Sequence, residues 1–243
     1  LNILAERSQE LYQHLFQVLL KTSYTTKLKL ENKFMNIYII RHGETEYNRL
    51  GIVQGSGVDT SLNETGKAQA QAFYEYYKDV PFEVVLTSLL KRTHETVAPF
   101  IADGLAWEKF PEINEMSWGI HEGKERTEAM KSQYRMVTSE WAKGNFDAGL
   151  EGGESINDVA KRCLAFKVHL SQRKEQHVLI CAHGRLIRCL MCVLLDLPLA
   201  QMENFGHSNT GLYQVKMEDG NYDLIRSNDT VHLDEQPVAI NQL

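Results

Sequence analysis

Two apolar segments of this 243-residue chain end in the same way, with a histidine followed by a glycine. Residues 36–40 run into Arg-His-Gly at 41–43, and residues 178–182 run into His-Gly at 183–184. The β-branched and aromatic content of the first segment, and the apolar run of the second, predict short buried strands. Open α/β sheets bind ligands at the carboxyl ends of their strands. Two such ends, 141 positions apart in the sequence, are therefore expected to converge on one pocket of a parallel sheet.

The first junction carries residue types that suit a phosphate group. The guanidinium of Arg41 can donate two parallel hydrogen bonds to phosphate oxygens, and the imidazole of His42 can attack phosphorus. Gly43 has no Cβ and is expected to allow a sharp turn at positive φ.

Further motifs follow in a fixed order along the chain. They are RHGET at 41–45 with Asn48, SLNETG at 61–66, TSLLKRT at 87–93, Asn114-Glu115 with Gly119 and Glu122-Gly123, GGES at 152–155, and AHG at 182–184. Together they resemble the signature of the histidine phosphatase superfamily, in its phosphoglycerate mutase-like branch, over roughly residues 35–227. The resemblance implies an α/β fold, a three-layer sandwich whose mostly parallel central sheet is flanked by helices.

The resemblance also assigns roles to the matching positions. The expected catalytic residues are Arg41, His42, Arg92, Glu115 and His183. The expected substrate contacts are Arg41, Asn48, Gln54, Gly55, Arg92, His183 and Gly184. No cofactor and no metal ligand is expected, because two fixed arginines would supply the positive charge and repel a divalent cation.

The chemistry expected of these residues is phosphoryl transfer through a phosphohistidine. His42 attacks phosphorus, while Arg41, Arg92 and a protonated or donating His183 neutralise the phosphate. Glu115 is the candidate general acid for the leaving oxygen and then the base for water. Glu112 and Glu122 are its local rivals, although Glu122 fits a loop-shaping role better.

Three functions remain open at this point. The first is a phosphomonoester hydrolase acting on a small phosphorylated metabolite, and the second is a cofactor-dependent phosphoglycerate mutase. Such mutases carry Arg-His-Tyr after the catalytic glutamate, whereas residues 116–118 here are Met-Ser-Trp, and only 68 positions separate Glu115 from His183. The basic clamp of the mutases is therefore missing, unless Lys124, Arg126 and Lys131 partly replace it. The third is a non-catalytic phosphate-binding module, which the complete set of catalytic residues disfavours.

The remaining patterns predict the other elements and one wall of the pocket. The elements are a helix at 63–78 capped by Asn63, a strand at 82–86, helices from Leu89 and at about 124–141, a helix to about 173 capped by Ser155, a strand at 176–182, a helix at 185–195, an edge strand at 212–217 and a return strand at 222–226. The resemblance implies that the variable segment of the family, residues 124–150 here, forms a lid or wall of the pocket, and the residues expected to supply it are Met130, Tyr134, Met136, Val137 and Trp141. His207 is either a site residue or an ordinary loop residue.

The sequence also gives expectations for the domain organisation, the partners and the location of the protein. Residues 1–34 are predicted to form an N-terminal helical extension, residues 35–227 the phosphatase-like domain, and residues 228–243 a C-terminal tail.

The net charge of −6 argues against nucleic-acid binding. No apolar run approaches the roughly 20 residues of a membrane span. Cys189 and Cys192 form a C-x-x-C without a second metal-spaced pair, so the four cysteines are expected to be free thiols in a reducing cytoplasm. The expected partner is a small phosphorylated substrate, and a homodimer is left open.

Overall fold

A single six-stranded sheet forms the centre of the protein. The computed structural model describes residues 34–234, so the helix expected within residues 1–34 lies outside the described residues. The strands are β1 (Phe34–Arg41), β2 (Val84–Thr87), β3 (Ala106–Lys109), β4 (His177–Ala182), β5 (Leu212–Glu218) and β6 (Asn221–Asp229), in the spatial order β3-β2-β4-β1-β5-β6. Strands β1 to β4 are parallel to one another, whereas β5 is antiparallel to both of its neighbours, β1 and β6. The predicted mostly parallel sheet is confirmed.

The α-helices of the described residues are α1 (Glu46–Leu50), α2 (Glu64–Tyr77), α3 (Lys91–Ala102), α4 (Glu128–Ala142), α5 (Ile156–Gln172), α6 (Gly184–Leu194) and α7 (Val231–Asp234). Four of these seven described helices, α1, α2, α4 and α5, begin at a side-chain cap. The side chain of Asn63 accepts a hydrogen bond from the N–H of Gly66, and that of Ser155 accepts one from Asp158, so both predicted caps are confirmed. No helix among residues 34–234 is long and apolar enough to cross a membrane.

Alternating side chains divide the interior into two cores, one on each face of the sheet. In β1, Ile37 and Ile39 contribute to the core formed with α5 and α6, whereas Tyr38 and Ile40 contribute to the core formed with α2 and α3. This alternation follows from the two-residue period of a strand. All four side chains are buried, as a central strand of a three-layer fold requires.

Three elements differ from the sequence-based expectation. The segment at 212–217 is not an edge strand, because β5 pairs with β1 on one side and β6 on the other. Strand β3 was not predicted, since it is a short, half-exposed edge strand without an apolar alternation. Helix α4 begins at Glu128 rather than near 124, because Thr127 caps it by accepting a hydrogen bond from Met130.

Residues 228–234 pack against the domain. Strand β6 runs through Asp229, and α7 follows directly. His232 in α7 is buried, contacts the Phe73 ring edge-on and shares a 2.9 Å hydrogen bond with the Thr210 hydroxyl. Residues 228–234 therefore contribute to the packing around α2.

Candidate active site

The carboxyl ends of β1 and β4 meet at one site. Arg41 is level with Ala182 in the parallel pairing, and the backbone N–H of His42 donates to the Ala182 carbonyl at 3.0 Å. The ring centroids of His42 and His183 are consequently 5.2 Å apart. The expected convergence of the two His-Gly junctions is confirmed.

A cavity of about 300 Å³ opens at this end of the sheet. The predicted site residues that line it are Arg41, His42, Asn48, Gln54, Arg92, Glu115 and Gly184. The other two, Gly55 and His183, do not line the cavity and instead contact Arg92.

The His42 imidazole is held in the form that a nucleophile needs. Its Nδ1 lies 2.7 Å from the Gly43 carbonyl oxygen, which can only accept, so Nδ1 carries the proton and Nε2 keeps its lone pair. Burial, together with the positive charges of Arg92 and Arg41, holds the pKa of His42 well below its ordinary value. At neutral pH the ring is therefore uncharged.

Gly43 is required for a different reason from the one expected. It is not among the described glycines with positive φ, so the predicted left-handed turn at this position is wrong. A Cβ at Gly43 would instead lie 2.6 Å from the carbonyl oxygen of Gly66 in α2. The close approach of these two backbones excludes any side chain.

We expect Gly43→Ala to destabilise the protein, because a backbone carbonyl cannot give way as a side chain can. Overpacking of this kind costs about 1–3 kcal/mol, or roughly 2–12 °C in Tm for a chain of this length. Gly184→Ala is the matched control, since its Cβ would meet only the movable His207 ring, at 3.2 Å. Differential scanning calorimetry that gave both variants the same loss would contradict the backbone-contact explanation.

Arg92 is buried and oriented by three acceptors. Its Nε donates to Nδ1 of His183 at 3.2 Å, and its terminal nitrogens donate to the carbonyls of Val58 (2.6 Å) and Gly55 (3.3 Å). Burial lowers the pKa of Arg92 to about 10, so the guanidinium remains charged at neutral pH. Each terminal nitrogen keeps a further N–H for a ligand.

His183 supports Arg92 in this arrangement. Because the Arg92 Nε–H can only donate, Nδ1 of His183 accepts, and the Nε2–H donates to the Ser88 hydroxyl at 2.8 Å. Burial and the charge of Arg92 hold the pKa of His183 well below its ordinary value. Both ring nitrogens are thus engaged and the ring is neutral, whereas a protonated or donating His183 was expected. Ser88 was missed, although it lies in the same motif as Arg92.

The guanidinium of Arg41 is only partly engaged by the described residues. One terminal nitrogen donates to the His207 carbonyl at 2.8 Å, while its buried Nε has no partner among the described residues. His207 lines the cavity, and burial, with a further contribution from Arg41, lowers the pKa of its ring to about 4. The sequence alone left His207 undecided between a site and a loop residue.

Glu115 is anchored at the amino terminus of α6. Its Oε1 accepts from the N–H groups of Met116 (2.9 Å) and Leu186 (3.1 Å), whereas Oε2 accepts a single long bond of 3.3 Å from the N–H of Arg185. The unpaired N–H groups at a helix start favour a carboxylate there. Oε2, the less strongly bound oxygen, is the one free to exchange a proton.

Neither of the two alternatives to Glu115, Glu112 and Glu122, lines the cavity. Glu122 accepts hydrogen bonds from the N–H groups of Gly57 and Trp118, both at 2.8 Å, and so shapes the surrounding loops as expected. Glu112 does not line the cavity. Its backbone carbonyl, like that of Asn114, accepts from Arg162 at 2.7 Å, which fixes the segment leading to Glu115.

The match to a known protein family covers nearly the same residues as the fold described above. A family model described as the histidine phosphatase superfamily (branch 1) matches residues 37–230. The chain belongs to this superfamily. The predicted family and its fold are confirmed.

Individual histidine phosphatases resemble the chain along much of its length. Phosphoserine phosphatase 1 of Hydrogenobacter thermophilus is 29% identical over 203 residues, which cover 83% of this chain and 95% of that protein. Fructose-2,6-bisphosphatase TIGAR B of Danio rerio is 34% identical over 145 residues, 57% of this chain and 54% of that protein. The crystal structure of the alpha-ribazole phosphatase from Shigella flexneri has a TM-score of 0.72 and 27% identity, and the match covers 81% of this chain and 97% of that chain.

In this histidine phosphatase, Asn48 and Gln54 form one rim of the cavity. Asn48 completes the cap of α1, since its Oδ1 accepts from the N–H of Thr45 at 3.2 Å. Gln54 donates to the hydroxyl of the same threonine at 2.7 Å. Thr45 therefore holds both amides at the rim.

Helix α4 forms the opposite wall, partly as expected. Of the five predicted wall residues, Met130 and Tyr134 line the cavity, whereas Met136 is 60% exposed and Val137 and Trp141 pack elsewhere. The cavity is also lined by Trp118, His121, Arg135 and Arg185, which the sequence did not single out, and by Arg126 and Lys131, which it named only as a partial replacement for the mutase clamp. Lys131 and Arg135 are four positions apart in α4 and so share a helix face, but the position of α4 over the cavity is a tertiary feature.

Within residues 34–234, no group of three or more His, Cys, Asp or Glu is arranged to hold a metal ion. The residues around His42 that carry full charges are mainly cationic, which suits an anionic ligand.

Proposed function

We propose that this histidine phosphatase hydrolyses a small phosphomonoester without a metal, through a phosphohistidine formed on His42. The observation that carries the proposal is the neutral His42 with a free Nε2, in one cavity with Glu115 and two arginines. The three relatives described above are all named as phosphatases, which supports hydrolysis over other phosphoryl chemistry.

Binding of the phosphate uses the cations at the strand ends. A phosphomonoester carries about −1.5 to −2 charges near neutral pH. The unpartnered Nε of Arg41 and the remaining terminal N–H groups of Arg92 are the donors offered to its oxygens. Because these groups are buried and already oriented, little reorganisation accompanies the reaction.

In the first step, Nε2 of His42 forms a bond to phosphorus as the bond to the substrate oxygen breaks. The leaving oxygen takes a proton from Oε2 of Glu115, the oxygen held by the single long hydrogen bond. In the second step, Glu115 accepts a proton from water, the water oxygen attacks phosphorus, and inorganic phosphate leaves with His42 restored.

Addition of Mg²⁺ or EDTA should change the rate by less than about threefold, which is roughly 0.7 kcal/mol in barrier height. The reason is that Arg41 and Arg92 supply the charge that a metal would otherwise provide. The measurement is turnover of p-nitrophenyl phosphate by protein dialysed against chelator. Activity lost in chelator and restored by stoichiometric metal would contradict the proposal.

Water, rather than a bound phosphoglycerate, is the proposed acceptor. The mutase alternative is tested by supplying 3-phosphoglycerate with a trace of 2,3-bisphosphoglycerate and following 2-phosphoglycerate and free phosphate separately. Release of phosphate without isomerisation supports the hydrolase. A binding module would give neither product.

The proposed location is the cytoplasm. The four cysteines at positions 163, 181, 189 and 192 are free and buried, which suits a reducing compartment. Homodimerisation stays a prediction.

A further inference from the structure

One loop, residues 207–211, contacts the backbone of both residues that follow one another at the end of β1. The N–H of Thr210 donates to the Arg41 carbonyl at 3.0 Å, and the side-chain amide of Asn209 donates to the His42 carbonyl at 2.9 Å. The carbonyl of the first residue of the loop also accepts from the Arg41 guanidinium, at 2.8 Å. The position of this loop therefore affects where the guanidinium and the imidazole lie.

The backbone of Thr210 has an unfavourable conformation. Its φ is 53°, in the left-handed region, which a β-branched residue rarely adopts. Such a conformation persists only where the surrounding structure imposes it, and it occurs most often at functional sites. Because the side chain of Thr210 is fully buried, the contacts that impose this conformation come from the protein interior.

His232 supplies one of these contacts, as a hydrogen-bond donor. The single hydroxyl proton of Thr210 lies toward the carbonyl oxygen of Asn209 at 2.8 Å, which can only accept. The hydroxyl oxygen therefore accepts the 2.9 Å hydrogen bond from Nε2 of His232. Burial lowers the pKa of His232 to about 4, so the ring is neutral at pH 7 and its one proton is on Nε2.

The ring of His232 is itself fixed by the core. It is 2% exposed and lies edge-on to Phe73, with ring centroids 5.2 Å apart, while Tyr77 contacts it at 6.0 Å. Its Nδ1 has no partner among the described residues, so the hydrogen bond to Thr210 is the polar contact that this ring makes there. His232 also lies beyond residues 37–230, to which the family model is matched.

We propose that His232 is a positioning residue for phosphoryl transfer, whose Nε2–H fixes Thr210 so that the 207–211 loop orients Arg41 and His42. The proposal rests on the proposed function, because it takes His42 as the nucleophile. His232 does not touch the substrate and acts only through the loop. A small misplacement of reacting groups lowers a rate strongly, so loss of this one hydrogen bond should be measurable in turnover.

Replacement of the donor tests the proposal. His232→Leu, which is close in volume but cannot donate, should lower kcat and the rate of phosphoenzyme formation by about 10–100-fold. KM should change by less than about threefold, because the two arginines still bind the phosphate while the attack is misaligned. His232→Gln can donate from its amide and should recover most of the loss. A glutamine variant no more active than the leucine variant would overturn the proposal.

The acceptor side of the same hydrogen bond provides a second variant. Thr210→Val is nearly isosteric and should lower kcat as much as His232→Leu does. Since both changes remove one hydrogen bond, the double variant should lose no more than the worse single variant. Losses that multiply in the double variant would contradict an action of His232 through Thr210.

Phe73→Leu is the matched control for packing. It changes the apolar contact with the His232 ring and leaves the hydrogen bond to Thr210 in place. We expect this variant to lower Tm but to keep kcat within about threefold of the native value, in assays below every thermal transition. An equal loss of kcat in Phe73→Leu and His232→Leu would show that His232 has only a structural role.

A spectroscopic measurement separates this proposal from the proposed function. In ¹H–¹⁵N spectra of histidine-labelled protein, the Nδ1–H signal of His42 is assigned by its absence in His42→Ala and requires no turnover. If the native protein hydrolyses no phosphomonoester, a shift of this signal in His232→Leu but not in Phe73→Leu would support the positioning role and overturn the hydrolase. Turnover by the native protein that His232→Leu and Thr210→Val leave unchanged would do the reverse.

Discussion

His42→Ala should abolish turnover, with a loss on the order of 10⁴-fold or more. Removal of a covalent nucleophile alone costs about 10⁶-fold in kcat in a well-studied serine protease. Neighbouring His183 cannot replace it, because both of its ring nitrogens are engaged by Arg92 and Ser88. The first measurement is the steady-state hydrolysis of p-nitrophenyl phosphate. The second is the amount of phosphoenzyme, detected as an acid-labile, base-stable label that a phosphorylated substrate leaves on the protein.

The label distinguishes a nucleophile from a structural histidine. His94→Ala is the matched control, since the His94 ring also contacts a backbone carbonyl, that of Ser88, but lies outside the cavity. We expect His94→Ala to form the phosphoenzyme and His42→Ala to form none, with both retaining a cooperative thermal transition. Stoichiometric label on folded His42→Ala would remove His42 from the nucleophilic role.

Glu115→Gln should lower the rate of the phosphorylation step by about 10²–10⁴-fold for an alkyl phosphate, the usual range for general acid catalysis. The amide can keep its oxygen on the N–H groups of Met116 and Leu186, and its NH₂ then faces Arg185 at the long 3.3 Å contact. The anchoring at α6 is therefore mostly preserved, while the proton is lost. For p-nitrophenyl phosphate the loss should be smaller, because that leaving group departs with little protonation.

Single-turnover kinetics are needed for this comparison, since hydrolysis of the phosphohistidine could otherwise limit both substrates. Glu112→Gln is the control, because Glu112 lies in the same segment but does not line the cavity. Equal losses for the alkyl and the aryl phosphate would show that Glu115 only contributes to binding. Glu122 would then be the next carboxylate to test.

Much of the fold and of the site follows from local sequence patterns. Apolar runs that end in His-Gly predicted β1 and β4, and the two caps at Asn63 and Ser155 predicted where α2 and α5 begin. These features depend on the chemistry of adjacent residues, so they can be derived without knowing the rest of the chain. The ordered motifs, which resemble one family, then placed Arg92 and Glu115 near the histidines.

Other features of the site could not be predicted from local patterns, because they depend on contacts between residues that are distant in the sequence. The need for Gly43 comes from the carbonyl of Gly66 in α2, and the engagement of His183 comes from Arg92 and Ser88. A local rule predicted a positive φ for the first, and the family resemblance implied a protonated or donating His183 on the phosphate for the second. In both cases packing partners decided the outcome.

The sequence by itself determined the class of fold, the family, and the residue types gathered at the strand ends, because strand periodicity, helix caps and motif order are local properties. The tertiary structure alone decided which further residues face the cavity. It placed α4 so that Arg126 and Arg135 line the same space as His42, and it put β5 in the interior of the sheet by pairing it with β6. Such contacts depend on how helices and strands pack across the whole domain, and the spacing of residues along one element does not specify them.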